Sequence, residues 1–236
     1  MTMRELARSL KYATLDALRG SAELCGIQRY SKPGLHGLDD KLGRYLHCRD
    51  GFFIECGAND GFRQSNTYYL ERFRNWSGLL VEPVPELHAR CTRLRRHSTC
   101  VQGALVGPDH ASTHIGIHYA GLMSVTEGAF DDPDRARKHV EEGLRIQGLT
   151  SRELVVPAYT LSGLLDQLGI SRPIDFFSLD VEGFEQEVLR GIDFYRHRPH
   201  YILVEARDPE AVNRILVAHY RMVERLTHHD YLFAAR

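Results

Sequence analysis

The sequence contains no apolar run long enough to span a membrane or to form the core of a signal peptide. Its first twenty residues, MTMRELARSLKYATLDALRG, are broken by charges every few positions. A cytoplasmic protein is the expectation. An excess of one charge is also missing: 30 Lys and Arg stand against 31 Asp and Glu. That balance calls for neither nucleic acid nor an anionic membrane as partner. The five cysteines (Cys25, Cys48, Cys56, Cys91, Cys100) form no CxxC pair and no regular spacing. Free thiols in a reducing compartment follow, and no metal site is expected. No repeat and no low-complexity tract appears. What remains is a chain of 236 residues, enough for one α/β domain with small additions.

Helical spacing of Leu6, Leu10, Ala13, Ala17 and Leu18 predicts a helix over 3–24, with its apolar side on the main domain. A break at 30–37 and a short helix at 38–46 complete an N-terminal extension, 1–47. Strands are predicted at 52–56, 77–83, 99–106, 112–120, 153–161, 173–183 and 200–207. Helices are predicted at 65–75, capped by Ser65 or Asn66, and at 86–96, 131–146, 161–170, 184–192 and 209–219. Asp131 or Asp132 would cap the helix at 131–146. A hairpin at 221–226 and 231–236 closes the chain. The alternation predicts a parallel sheet with helices on both faces. Runs such as FFIE, GLLVE, DFFSL and YILVE suit strands buried on both sides. The irregular stretch 107–158 reads either as a lid or substrate-binding insertion or as an ordinary connection.

The chemistry begins at FFIECGANDG, 52–61. A dinucleotide fingerprint would read GxGxxG, and that pattern is missing. The loop has GxxxG, between Gly57 and Gly61, and carries Glu55 and Asp60. These acids would repel a diphosphate but suit a cationic ligand such as S-adenosylmethionine. Glu82 ends the next strand, about 20 residues on, where an acid binds ribose hydroxyls. Gly103 and Ala104 end the third strand, where an adenine would lie. SLDVEGFE (178–185) adds Asp180 and Glu182 at a strand end, with Glu185 as a helix-capping acid. Glu205 ends YILVE. Four strands thus bring carboxylates to one rim. The basic run RCTRLRRH (90–97) reads as a solvated helix face, the histidines as surface residues, and Tyr68, Tyr69, Phe73 and Trp76 as core.

The ordered series FIECGANDG, SNTYYLE, GLLVEPVPEL, FFSLDVEGFE and YILVEA resembles the FkbM family of S-adenosylmethionine-dependent methyltransferases, over about residues 30–235. The resemblance implies a class I methyltransferase fold: a Rossmann-like, mostly parallel seven-stranded sheet with its last strand antiparallel. It implies methyl transfer to a hydroxyl oxygen of a sugar, glycan or secondary metabolite. Carried over by position, Glu55, Gly57, Asn59 and Gly61 would line the methionine part of the cofactor. Glu82 would hold the ribose, and Asp180 would lie beside the methyl group. The full cofactor-binding set is Glu55, Gly57, Ala58, Asn59, Gly61, Ser65, Asn66, Glu82, Pro83, Gly103, Ala104 and Asp180.

A hydroxyl acceptor must also lose a proton. Asp180 is the first residue expected to take it, then Glu182 and Glu205. A Mg²⁺ held by the same acids is the alternative route. The expected partner is a small hydroxylated molecule, with a homo-oligomer left open. Two rival readings stand beside this one. A nicotinamide-dependent oxidoreductase would use the same kind of sheet. A non-catalytic cofactor-binding module would have no need of clustered acids.

Overall fold

The computed structural model describes residues 3–120, 124–126, 133–147 and 152–236. Residues 3–24 form α1 (Met3–Leu24), followed by α2 (Leu38–Leu42) and β1 (Phe52–Cys56). Then come α3 (Tyr68–Arg74), β2 (Ser77–Glu82), α4 (Pro85–Leu94), β3 (Thr99–Gln102) and β4 (Ala104–Leu105). The middle of the chain holds β5 (His114–Tyr119), β6 (Val125–Thr126), α5 (Pro133–Gln147), β7 (Arg152–Tyr159) and α6 (Leu161–Gln167). The remainder is β8 (Phe176–Leu179), α7 (Glu185–Arg190), β9 (Tyr201–Glu205), α8 (Pro209–Leu216), β10 (Tyr220–Arg225) and β11 (Asp230–Ala235).

Seven strands make one sheet in the order β10-β11-β9-β8-β1-β2-β3. Pairings from β9 through β3 are parallel, and β11 is antiparallel to both its neighbours. This is the expected class I methyltransferase architecture. β1 and β8 are fully buried along their length, as strands covered on both faces must be. The chain turns one way from β1 to β2 and the other way to β8, so a crevice opens beyond their C-terminal ends.

The stretch 99–106, expected as one strand, is two. It divides at Gly103. Gln102 pairs with Glu82 in the large sheet, while Ala104 and Leu105 pair with Ala158 and Tyr159. A Cβ on Gly103 would come 2.7 Å from the Tyr159 ring and 2.8 Å from the Pro157 carbonyl oxygen. Only a bare backbone passes between the two sheets there. The second sheet has the order β4-β7-β5-β6; β5, β6 and most of β7 come from the 107–158 stretch, and β4 precedes it. Asp131 and Asp132, the expected caps of α5, lie outside the described residues.

α1 departs from its sequence pattern. Ala13, Ala17 and Leu18 face solvent, Leu18 being 63% exposed. The side chains of Leu6 and Leu10 lie outside those described. The helix docks instead through polar groups. The Arg19 guanidinium sits 3.6 Å from the Phe62 ring centroid. Glu23 accepts from Ser31 Oγ (2.6 Å) and Tyr68 Oη (2.8 Å) and pairs with Arg72 at 2.8 Å.

Candidate active site

The crevice beyond β1, β2 and β8 is lined by Gly57, Asn59, Asn66, Glu82, Pro83, Gly103, Ala104, Asp180 and Glu182, and Glu55 reaches it. Ala58, Gly61 and Ser65 stand behind this surface, and Glu205 lines an adjoining cavity that shares Asp180 and Glu182. The expected residues therefore fall into one region, with different jobs.

Glu55 is a structural hub. Its Oε2 accepts from Ser65 Oγ (2.9 Å), Thr67 Oγ1 (2.6 Å) and Arg95 Nη1 (3.3 Å), and its Oε1 from the Asn66 amide (2.8 Å). Its charge holds the 61–67 loop against the sheet and is answered by Arg95. Asp60 is similarly engaged. It accepts from the Phe62 and Arg63 amides and pairs with Arg90 at 3.2 Å.

Arg95, expected on a solvated basic face, is instead buried. It is 1% exposed and pairs with Glu71 (2.8 Å) as well as Glu55. It also donates to the Gly61 carbonyl at 3.1 Å and to Thr67 Oγ1 at 2.8 Å. One local signal existed: Arg95 follows the buried Cys91 by four residues, one helical turn on the same face. Its acidic partners lie 24 and 40 residues away, where no local pattern reaches. Ser65 and Asn66 do not begin α3. Thr67 precedes the first helical residue, and Ser65 Oγ accepts from the Tyr68 amide at 3.1 Å.

Glu82 is 5% exposed. Its Oε2 accepts from the Asn59 amide (2.7 Å) and its Oε1 from the Val84 amide (2.9 Å). Burial outweighs those bonds and pushes its carboxyl up to about 7. Asn59 turns the loop with φ +51°, a conformation Asn tolerates better than most residues.

Asp180 follows β8, and no hydrogen bond to its carboxylate is formed among the described residues. Burial, then the charges of Glu205, Glu182, Glu185 and Asp230, raise its carboxyl well above the usual range. Glu182, at φ +55°, is tied to Arg207 Nη2 at 2.8 Å. Glu185 accepts from the Gly183 amide at 2.7 Å, so it braces the loop after β8. Glu205 is raised to about 7 by burial and by Asp230, Glu182 and Glu185. Ile117, Ser124 and Thr126 of the second sheet and its loop complete the crevice wall. Sequence reasoning named none of these three, because their strands reach the crevice only by tertiary packing. Among the described residues no group of three or more His, Cys, Asp or Glu is arranged to hold a metal ion. No helix there is long and apolar enough to cross a membrane.

Strand order and an acid-lined crevice at the switch point define a class I methyltransferase. The sequence model of the methyltransferase FkbM domain matches residues 55–233, and the chain belongs to that family. Solved structures with which it aligns include a TehB-like S-adenosylmethionine-dependent methyltransferase from Corynebacterium glutamicum, at 10% identity and TM-score 0.43, covering 98% of this chain and 99% of that one. Another is fibrillarin from Aeropyrum pernix with natively bound S-adenosylmethionine, at 11% identity and TM-score 0.45, covering 87% and 76%. A precorrin-6y C5,15-methyltransferase from Geobacter metallireducens aligns at 12% identity and TM-score 0.43, covering 85% and 88%. No curated protein matches the chain.

Proposed function

We propose that the protein transfers a methyl group from S-adenosylmethionine to a hydroxyl oxygen of a small sugar, glycan or secondary metabolite. The observation that carries this reading is the convergence of Glu82 and Asp180 on one crevice, beside a loop whose Gly57 leaves no room for a side chain. The residues fit the cofactor. Each Glu82 oxygen accepts one backbone amide and keeps a lone pair for a ribose diol. Gly57 and Asn59 present backbone to the methionine part. Gly103 and Ala104 give the adenine a wall without bulk. When bound, the cofactor supplies a methyl group already activated on a cationic sulfur.

The chain's own residues then position and deprotonate. Asp180 takes the acceptor's proton, because its carboxylate accepts no hydrogen bond among the described residues and burial with the neighbouring acids raises its basicity. Glu182 is tied to Arg207 and Glu205 faces the adjoining cavity, so both act mainly through their charge on Asp180. The 107–158 segment, through Ile117, Ser124 and Thr126, shapes the acceptor's side of the crevice, and 1–47 extends a single catalytic domain.

Calorimetry with S-adenosylhomocysteine, followed by labelled-methyl transfer to a panel of hydroxylated acceptors, tests the reading. Lack of S-adenosylhomocysteine binding sinks it. Binding with label found only on nitrogen or carbon removes the hydroxyl acceptor.

A further inference from the structure

Two cysteines distant from any expected thiol motif meet behind the glycine loop. Cys91, on α4, is fully buried, and Cys100, on β3, is partly exposed. Their sulfurs are 3.5 Å apart. A disulfide requires about 2.05 Å, so a small approach of two packed side chains separates dithiol from bond. Cys25 and Cys48 are exposed and Cys56 is buried at the end of β1; none of these touches another sulfur. We propose that Cys91 and Cys100 form a redox-modification site, closing to an intramolecular disulfide with a small-molecule disulfide as oxidant.

The roles follow from exposure. Cys100 is the reachable sulfur, and its thiolate bonds to one sulfur of the small disulfide, expelling the other half as a thiolate. Cys91 then gives up its proton and attacks the Cys100 sulfur of the mixed disulfide, expelling the second half. The two cysteines lose two electrons, the small disulfide gains them, and two protons end on its two thiols. The hydrogen bond from Cys91, with help from Thr92, holds the Cys100 thiol below its ordinary range. That same bond, together with burial, holds Cys91 above it.

Closure is transmitted to the loop. A Cβ on Gly61 would lie 2.9 Å from Arg95 Cγ and 3.1 Å from both the Cα and Sγ of Cys91, so Cys91 and Arg95 together back the loop. Drawing Cys91 toward β3 shifts that support.

The test uses the whole folded chain and oxidised glutathione at neutral pH, then alkylation, digestion without reductant and mass spectrometry. The expected product is a peptide linking Cys91 to Cys100, with both thiols regained on adding dithiothreitol. Cys91→Ser should stop at a glutathione adduct on Cys100, and Cys100→Ser should leave Cys91 unmodified. Should Cys91→Ser fail to fold, the wild-type cross-link and the Cys100→Ser result decide the matter. Hydrogen exchange over 57–66 should change on oxidation and return on reduction. The proposal is overturned if Cys91 and Cys100 stay alkylatable while Cys25 and Cys48 take up glutathione, or if either pairs with another cysteine. Unchanged exchange over 57–66 overturns the coupling to the loop.

Discussion

A Cβ placed on Gly57 would lie 1.9 Å from the carbonyl oxygen of Asp180. The loops leaving the adjacent strands β1 and β8 therefore pass in direct contact at the crevice floor, and Gly57 does so at φ +81°. Gly57→Ala must push the two loops apart. Overpacking of this kind costs about 1–3 kcal/mol, with a further penalty of about 1–2 kcal/mol for a side chain at that φ. A lower melting temperature and a large loss of S-adenosylhomocysteine affinity are expected. Wild-type affinity in a folded Gly57→Ala variant would contradict the assignment of this loop to the cofactor.

With the ribose held by Glu82, as proposed, cofactor binding should depend on pH. The Glu82 carboxyl sits at about 7 because it is buried, so it is largely protonated below that pH. The diol donates best to the ionised form. Affinity should rise as pH increases through about 7, and Glu82→Gln should bind about 10–100-fold more weakly, as for a lost charged hydrogen bond, with the pH step gone. A pH series by calorimetry checks both; a Gln variant that keeps the step removes Glu82 from the ribose.

Arg95→Met leaves Glu55 and Glu71 buried without their cation, 4% and 8% exposed. Breaking a buried pair from one side costs about 3–5 kcal/mol. Urea unfolding should show that loss, and adding Glu55→Gln and Glu71→Gln should recover part of it. A variant within about 0.5 kcal/mol of wild type would mean that the network contributes little.

Asp180→Asn should lower turnover about 10²–10⁴-fold, the usual share of general-base catalysis, with S-adenosylhomocysteine affinity retained. In the wild type, turnover should rise with pH as the elevated Asp180 carboxyl ionises. Near-normal turnover by the Asn variant would remove Asp180 as the proton acceptor.

Asp39 links stability to pH. It is 9% exposed and accepts from the Gly34 amide at 2.7 Å, yet burial lifts its carboxyl to about 7. The folded state thus holds this proton more tightly than the unfolded chain does. Its contribution is complete below about pH 4 and is lost as pH rises toward 7. Glu82 and Glu205 act in the same sense. Asp39→Asn should flatten part of the slope, on the order of a few kcal/mol at most, in unfolding measured from pH 4 to 8.

Much of this was legible from residue order. FFIEC, SGLLVE, FFSL and YILVE form strands because continuous apolar runs of that length find burial only inside a covered sheet. Glu82 and Asp180 were readable as crevice-lining acids because the acid at a strand's end has a place in this architecture whatever packs around it. Glu55 and Asp60 look the same in sequence, but their charges are spent on Arg95, Arg90 and loop amides.

Residue order alone specified most strands and helices of the large sheet, the family, and the acids at the strand ends, because each is written in neighbouring residues. The tertiary structure alone decided that the third strand breaks at Gly103, that α1 docks through Arg19 and Glu23, that Arg95 is buried, and that Cys91 meets Cys100. These outcomes depend on partners tens of residues away or on another element. A one-dimensional pattern carries the period of burial but not the identity of what is buried against it.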